Sequence, residues 1–168
     1  IGRLDRQKGI DRLARVMESV KDDLSIIWRL VGGKVLDSDD VANLGSNIEP
    51  VMRSEDALRE VYEWSDVIVL LSRYEGLPLT ILEAMALGAV PIACDVGAVG
   101  EVIADGENGY LINGTDVVSD CERHLRILRA HPSLLREMSI RAAESQRQRG
   151  WEPAIKALSE ALTPSRPI

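Results

Sequence analysis

Phenylalanine is absent from the 168 residues, and aromatic side chains make up only 4% of them. A core in this chain therefore has to be filled by aliphatic groups, as in parallel sheets covered by helices, whose strands are near-continuous runs of Val, Ile and Leu. Cations are also in deficit: 20 Lys and Arg stand against 27 Asp and Glu, a net charge of −7. A nucleic-acid binder needs a basic face, and this balance argues against one. No apolar run approaches the roughly 20 residues of a membrane span, and no secretory leader pattern is present. The two cysteines, Cys94 and Cys121, fall in a strand candidate and on an amphipathic helix face, so buried free thiols are expected rather than a disulfide. A reducing cytoplasm is the matching compartment.

What is present is 45% hydrophobic content in a chain long enough for one domain with a sizeable core. Ile1 to Leu4 reads as the end of a strand with no initiating Met, as if cut from a longer protein. Apolar residues at helical spacing (Ile10, Leu13, Ala14, Met17) predict a helix after it. Residues 25–31 read as a second strand ended by Gly32-Gly33, and residues 47–52 as a short third. Residues 37–43 read as an acidic surface segment. Ser54-Glu55-Asp56 opens a helix whose apolar face carries Leu58, Val61 and Tyr62. Residues 66–71, 89–94 and 110–112 are the remaining strands. Beyond Thr115 the pattern is mainly helical, with Val118, Cys121, Leu125 and Leu128 on one face and Leu135, Met138 and Ala142 on another. A last helix is expected from Trp151 to Leu162. Six strands alternating with helices predict an α/β fold: a Rossmann-like parallel sheet with helices on both faces and extra C-terminal helices.

The stretch from Ser72 to Gly88 concentrates the chemistry. Glu75-Gly76-Leu77-Pro78-Leu79-Thr80-Ile81-Leu82-Glu83 joins a strand end to a short helix, with seven residues between the two glutamates. Open α/β sheets bind ligands at the carboxyl ends of their strands. The N–H groups of a helix start suit a phosphate or sugar oxygen. Pro78 fits the first helical position. Thr80-x-x-Glu83 also reads as a capping box, whereas Glu75 has no local structural role in the sequence. Val31-Gly32-Gly33-Lys34 lacks the spacing of a P-loop. Cys121 and His124 stand three apart, but no second pair completes a metal site.

The two-glutamate stretch, with the Gly-Arg-Leu run at residues 2–4 and the Lys8-Gly9 pair, resembles the group-1 (family 4) retaining glycosyltransferases of the GT-B architecture. The resemblance is to their C-terminal, donor-binding domain, and it runs from Gly2 to about Ile112. It implies one half of a two-domain enzyme whose N-terminal acceptor domain is absent from residues 1–168. The implied activity is transfer of a sugar from a nucleoside diphosphate sugar, such as a UDP- or GDP-sugar, with retention and without a metal or other cofactor. Polysaccharide or glycolipid synthesis at the inner membrane face, by peripheral association of the whole protein, is the implied setting.

Residue by residue, the resemblance assigns Arg3, Lys8 and the backbone of Leu79 and Thr80 to the donor diphosphate. It assigns Glu75, Gly76, Leu77 and Pro78 to the donor sugar and Glu83 to the ribose. The base falls to Gly32, Gly33, Val51, Met52 and Arg53, although Glu49-Pro50-Val51 stands where the family has a glycine. No catalytic residue is assigned, because the family's acceptor contacts and its histidine come from the other domain. A sugar-nucleotide epimerase-like enzyme and a non-catalytic nucleotide-binding module are the alternative readings.

Overall fold

The computed structural model describes residues 1–34, 48–52 and 54–147. In chain order the elements are β1 (Gly2–Leu4), α1 (Ile10–Ser19), β2 (Leu30–Lys34), β3 (Ile48–Glu49), α2 (Glu55–Trp64) and β4 (Val67–Leu70). They continue with α3 (Leu79–Ala86), β5 (Val90–Cys94), a single 3₁₀ turn (Val99–Glu101), β6 (Tyr110–Ile112), α4 (Val117–Ala130) and α5 (Pro132–Arg147). The acidic segment at 37–43 and the expected helix from Trp151 lie outside the described residues.

All strand pairs are parallel, in two groups of three ordered β1-β2-β3 and β4-β5-β6. Among the described residues no ladder joins β1 to β4. The second group is buried on both faces, as the aliphatic composition requires. Leu71, Ile92 and Cys94 point to a cluster with Val16 of α1, Cys121, Leu125 and Leu128 of α4, and Met138 of α5. Their neighbours Leu70 and Ala93 point the other way, to Ile81 and Met85 of α3 and to Val99, Val102 and Ile103. Alternation along each strand thus feeds two cores.

Local signals account for most boundaries. Ser54 caps α2, its side chain accepting from the Ala57 N–H at 3.3 Å. Asp116 does the same for α4 through Ser119. The turn before β6 is held by Asn108, which accepts from the Ala104 N–H and donates to the Val102 carbonyl. Both cysteines are free and buried.

The second strand corrects the sequence reading. It starts at Leu30 rather than Ser25, and Gly32-Gly33 lies within it instead of ending it. Asp23 accepts from both the N–H and the hydroxyl of Ser25, holding that residue in a turn. Ile27 is 71% exposed, so the first half of the apolar run is not a buried strand. The glycines extend the strand because they let it lie flush against β1: a Cβ on Gly32 would sit 1.8 Å from the Gly2 carbonyl oxygen.

Candidate functional site

Residues of β1 and β2 and the segment after β3 enclose a pocket of about 390 Å³, whose walls include Gly2, Arg3, Gly32, Gly33, Val51 and Met52. Leu58 of α2 closes one side. With no room for side chains at Gly32, part of its floor is bare backbone. The structure therefore brings together four of the residues assigned to the base; Arg53 lies outside the described residues.

The loop after β1 turns on Asp5. Its Oδ1 accepts from the Lys8 N–H at 2.9 Å, and its Oδ2 lies 3.5 Å from Arg3 Nε. Gly9 follows with φ 71°, pressed so closely against the end of β4 that a Cβ would stand 1.9 Å from the Leu71 carbonyl oxygen. Only glycine meets both demands. This path aims Lys8 across the gap between the strand groups, where Nζ donates to Glu75 Oε1 at 2.7 Å and Oε2 at 3.0 Å. The Glu75 side chain is 7% exposed, against 53% for Arg3. Glu75, which has no local role in the sequence, thus has a structural one here as the counter-ion of Lys8.

A second loop fixes the turn that carries Glu75. Gly97, at φ 61°, leaves no room for a Cβ, which would meet the Glu75 carbonyl oxygen at 2.0 Å, and the Ala98 N–H donates to the Gly76 carbonyl at 2.9 Å. Pro78 is the residue before α3, with φ −74° and ψ 107°, rather than its first helical residue. Thr80 is then inside the helix, so the capping box read from Thr80-x-x-Glu83 does not form. No side chain caps α3. Its first N–H groups, including those of Leu79 and Thr80, have no intrahelical acceptor by geometry. They lie next in the chain to the Glu75 turn.

Glu83 has a partner the sequence did not disclose. The hydroxyl of Tyr62, on α2, donates to Glu83 Oε2 at 2.7 Å. Tyr62 is buried, and burial first, then the bond to Glu83, raises its pKa well above the ordinary phenol value, so it stays a donor. The two glutamates share no partner, Glu75 holding Lys8 and Glu83 holding Tyr62.

The site therefore gathers a cation and open helix-start N–H groups, which stabilise an anion. It also has two separately held carboxylates, which accept from hydroxyls, and an apolar pocket reached by Arg3 and by Leu58 of the helix that carries Tyr62. Among the described residues no group of three His, Cys, Asp or Glu is placed to hold a metal ion.

Parallel strands with interleaved helices define a Rossmann-like α/β domain. The chain belongs to the family of group 1 glycosyl transferases, whose family model matches residues 1–130. It is 28% identical over 167 residues to a glycogen synthase of Pseudomonas syringae pv. tomato, covering 95% of this chain and 34% of that one. It is similar to the C-terminal domain of a group 1 glycosyl transferase, LpcC, from Francisella tularensis, with TM-score 0.70 and 24% identity over 86% of this chain and 80% of that one. It is also similar to S. aureus TarM, solved as a point mutant in complex with fondaparinux, alpha-GlcNAc-glycerol and UDP. There the TM-score is 0.74 and the identity 26%, over 86% of this chain and 31% of TarM. The chain spans about a third or less of the length of the curated relatives it matches. The expected family and the Rossmann-like α/β fold are both borne out. No helix among the described residues is long and apolar enough to cross a membrane.

Proposed function

We propose that residues 1–168 are the donor-binding domain of a retaining glycosyltransferase that moves a sugar from a nucleoside diphosphate sugar to an acceptor in cell-surface polysaccharide or glycolipid synthesis. The observation that carries this reading is the Lys8–Glu75 pair just before the uncapped start of α3, in a domain that also holds the pocket lined by Gly32 and Gly33. The base occupies that pocket against Gly32, Gly33, Val51 and Met52, and Glu83 accepts from ribose hydroxyls. Arg3, Lys8 and the Leu79 and Thr80 N–H groups take the diphosphate. Negative charge grows on that diphosphate as the sugar departs, and preorganised cations and dipoles stabilise it without a metal. Glu75 and the Gly76-Leu77-Pro78 backbone hold the sugar.

Acceptor contacts and the chemical step need a second domain. Residues 1–168 alone therefore bind donor nucleotide and do not turn it over.

Calorimetry with UDP and GDP in the presence of EDTA tests this function. Wild type is expected to bind one of them, and Glu83→Ala to bind it about tenfold more weakly, as for loss of a hydrogen bond to a charged group. Equal affinity in both proteins, or binding that vanishes with EDTA, contradicts the assignment.

A further inference from the structure

We infer that Tyr62 is a positioning residue that makes this site select ribonucleotides over 2′-deoxyribonucleotides, by holding the Glu83 carboxylate in one orientation. The inference rests on the donor-site reading above and goes beyond it, because Tyr62 is not among the residues lining the pocket assigned to the base.

Glu83 lies on an exposed face of α3, where a glutamate side chain ordinarily samples many rotamers. Its carboxylate is nevertheless tied at Oε2 by the Tyr62 hydroxyl at 2.7 Å. Tyr62 is itself immobile: it is 3% exposed and packs with Ile68, Ala84 and Ala89. Ala84 is the next residue to Glu83, so the tyrosine ring grips the helix beside the carboxylate whose oxygen it binds.

The same cluster includes Ile1 and Leu58 at its edge, and both also line the pocket beside Val51 and Met52. Leu58 lies one turn before Tyr62 on α2. One helix face therefore forms a wall of the base pocket and sets the carboxylate. Among the described residues nothing else bonds Glu83, which leaves Oε1 and the remaining lone pair of Oε2 for two vicinal hydroxyls. A carboxylate fixed in this way accepts from a cis-diol without first losing rotamer freedom. Removing the 2′-hydroxyl leaves one acceptor unmet.

The expected signature is a ratio rather than an affinity. Wild type, Tyr62→Phe, Glu83→Ala and the double variant are titrated with UDP and GDP and with their 2′-deoxy forms. Wild type should prefer the ribonucleotide about tenfold. Tyr62→Phe, which removes one oxygen and leaves the ring in its packing, should lower the preference to about threefold or less. In the Glu83→Ala background the same change should leave the ratio where Glu83→Ala puts it.

A merely structural tyrosine would weaken both nucleotides alike, so a Tyr62→Phe protein that binds with the wild-type ratio overturns the inference while sparing the donor site. A further loss in the double variant overturns it as well, because Tyr62 would then act other than through Glu83. If wild type binds neither UDP nor GDP, the donor reading fails and the inference falls with it.

Discussion

Lys8 Nζ lies 2.7 Å and 3.0 Å from the two carboxylate oxygens of Glu75, residues 67 positions apart on loops from different strand groups. The pair is mostly shielded from solvent, with 22% of the lysine and 7% of the glutamate side chain exposed. Its loss should fall between the small cost of a surface pair and the roughly 3–5 kcal/mol typical of a broken buried one. Glu75→Gln is therefore expected to cost about 2 kcal/mol, which for a chain of this length lowers the thermal midpoint by about 4–8 °C. A melt within about 1 °C of wild type would refute a structural role for the pair.

Gly97 makes a separate test of the same turn. At φ 61° with the Glu75 carbonyl oxygen 2.0 Å from a would-be Cβ, Gly97→Ala adds backbone strain of about 1 kcal/mol and forces the turn outward. The expected result is a destabilised protein in which nucleotide affinity falls as well. Wild-type affinity in a folded Gly97→Ala protein would show that the turn does not contribute to the site.

His124 should make stability depend on pH. It is buried, stacks on Tyr110 with ring centroids 4.0 Å apart, and leaves Nδ1 without a partner among the described residues. Burial, then the charge of Arg123, hold its pKa below the usual histidine value, against weaker opposition from Asp105 and Asp120. Below about pH 6.5 the unfolded chain binds a proton that the folded chain refuses. Stability is thus full above that pH and falls as pH drops through the folded pKa. His124→Phe keeps a ring in the stack and removes the titration, so its melting temperature should change less than wild type's between about pH 7 and about pH 5. Parallel wild-type and variant profiles would contradict this.

The cysteines should be chemically quiet. Burial pushes the Cys121 thiol up to about 12 and also raises Cys94. Because the thiolate is the reactive form, a thiol reagent should label both at least about tenfold more slowly in the native protein than in denaturant. Fast stoichiometric labelling of the folded chain would argue against the packing described.

Element types were legible because local chemistry and tertiary demand agree over most of the chain. Ser54 and Asp116 cap the helices they precede, and Val90 to Cys94 is buried along its whole length as its aliphatic run implies. The miss at residues 25–31 has a physical cause. An apolar run shows that a segment can be buried, but where β2 begins depends on which residues β1 and β3 lie beside, with Gly2 opposite Gly32 and Leu30 opposite Ile48. The partners of the two glutamates were hidden for a related reason. Lys8 reaches Glu75 across 67 positions, and Tyr62 sits at helical spacing with Leu58, where the ring reads as core and its hydroxyl gives no signal.

The gap between β1 and β4 governs how the molecule comes together. Polar links across it include the Arg73 N–H to the Gln7 carbonyl, the paired Arg73–Asp11 contacts, Arg12 to the Leu71 carbonyl, and Lys8 to Glu75. They come from the loop after β1, the first turn of α1 and the chain leaving β4, the same segments that shape the site. The first strand group lines the apolar pocket by itself, but the Lys8–Glu75 pair forms only where the two groups meet. On the donor-site reading proposed above, nucleotide binding would therefore report whether the two groups have docked.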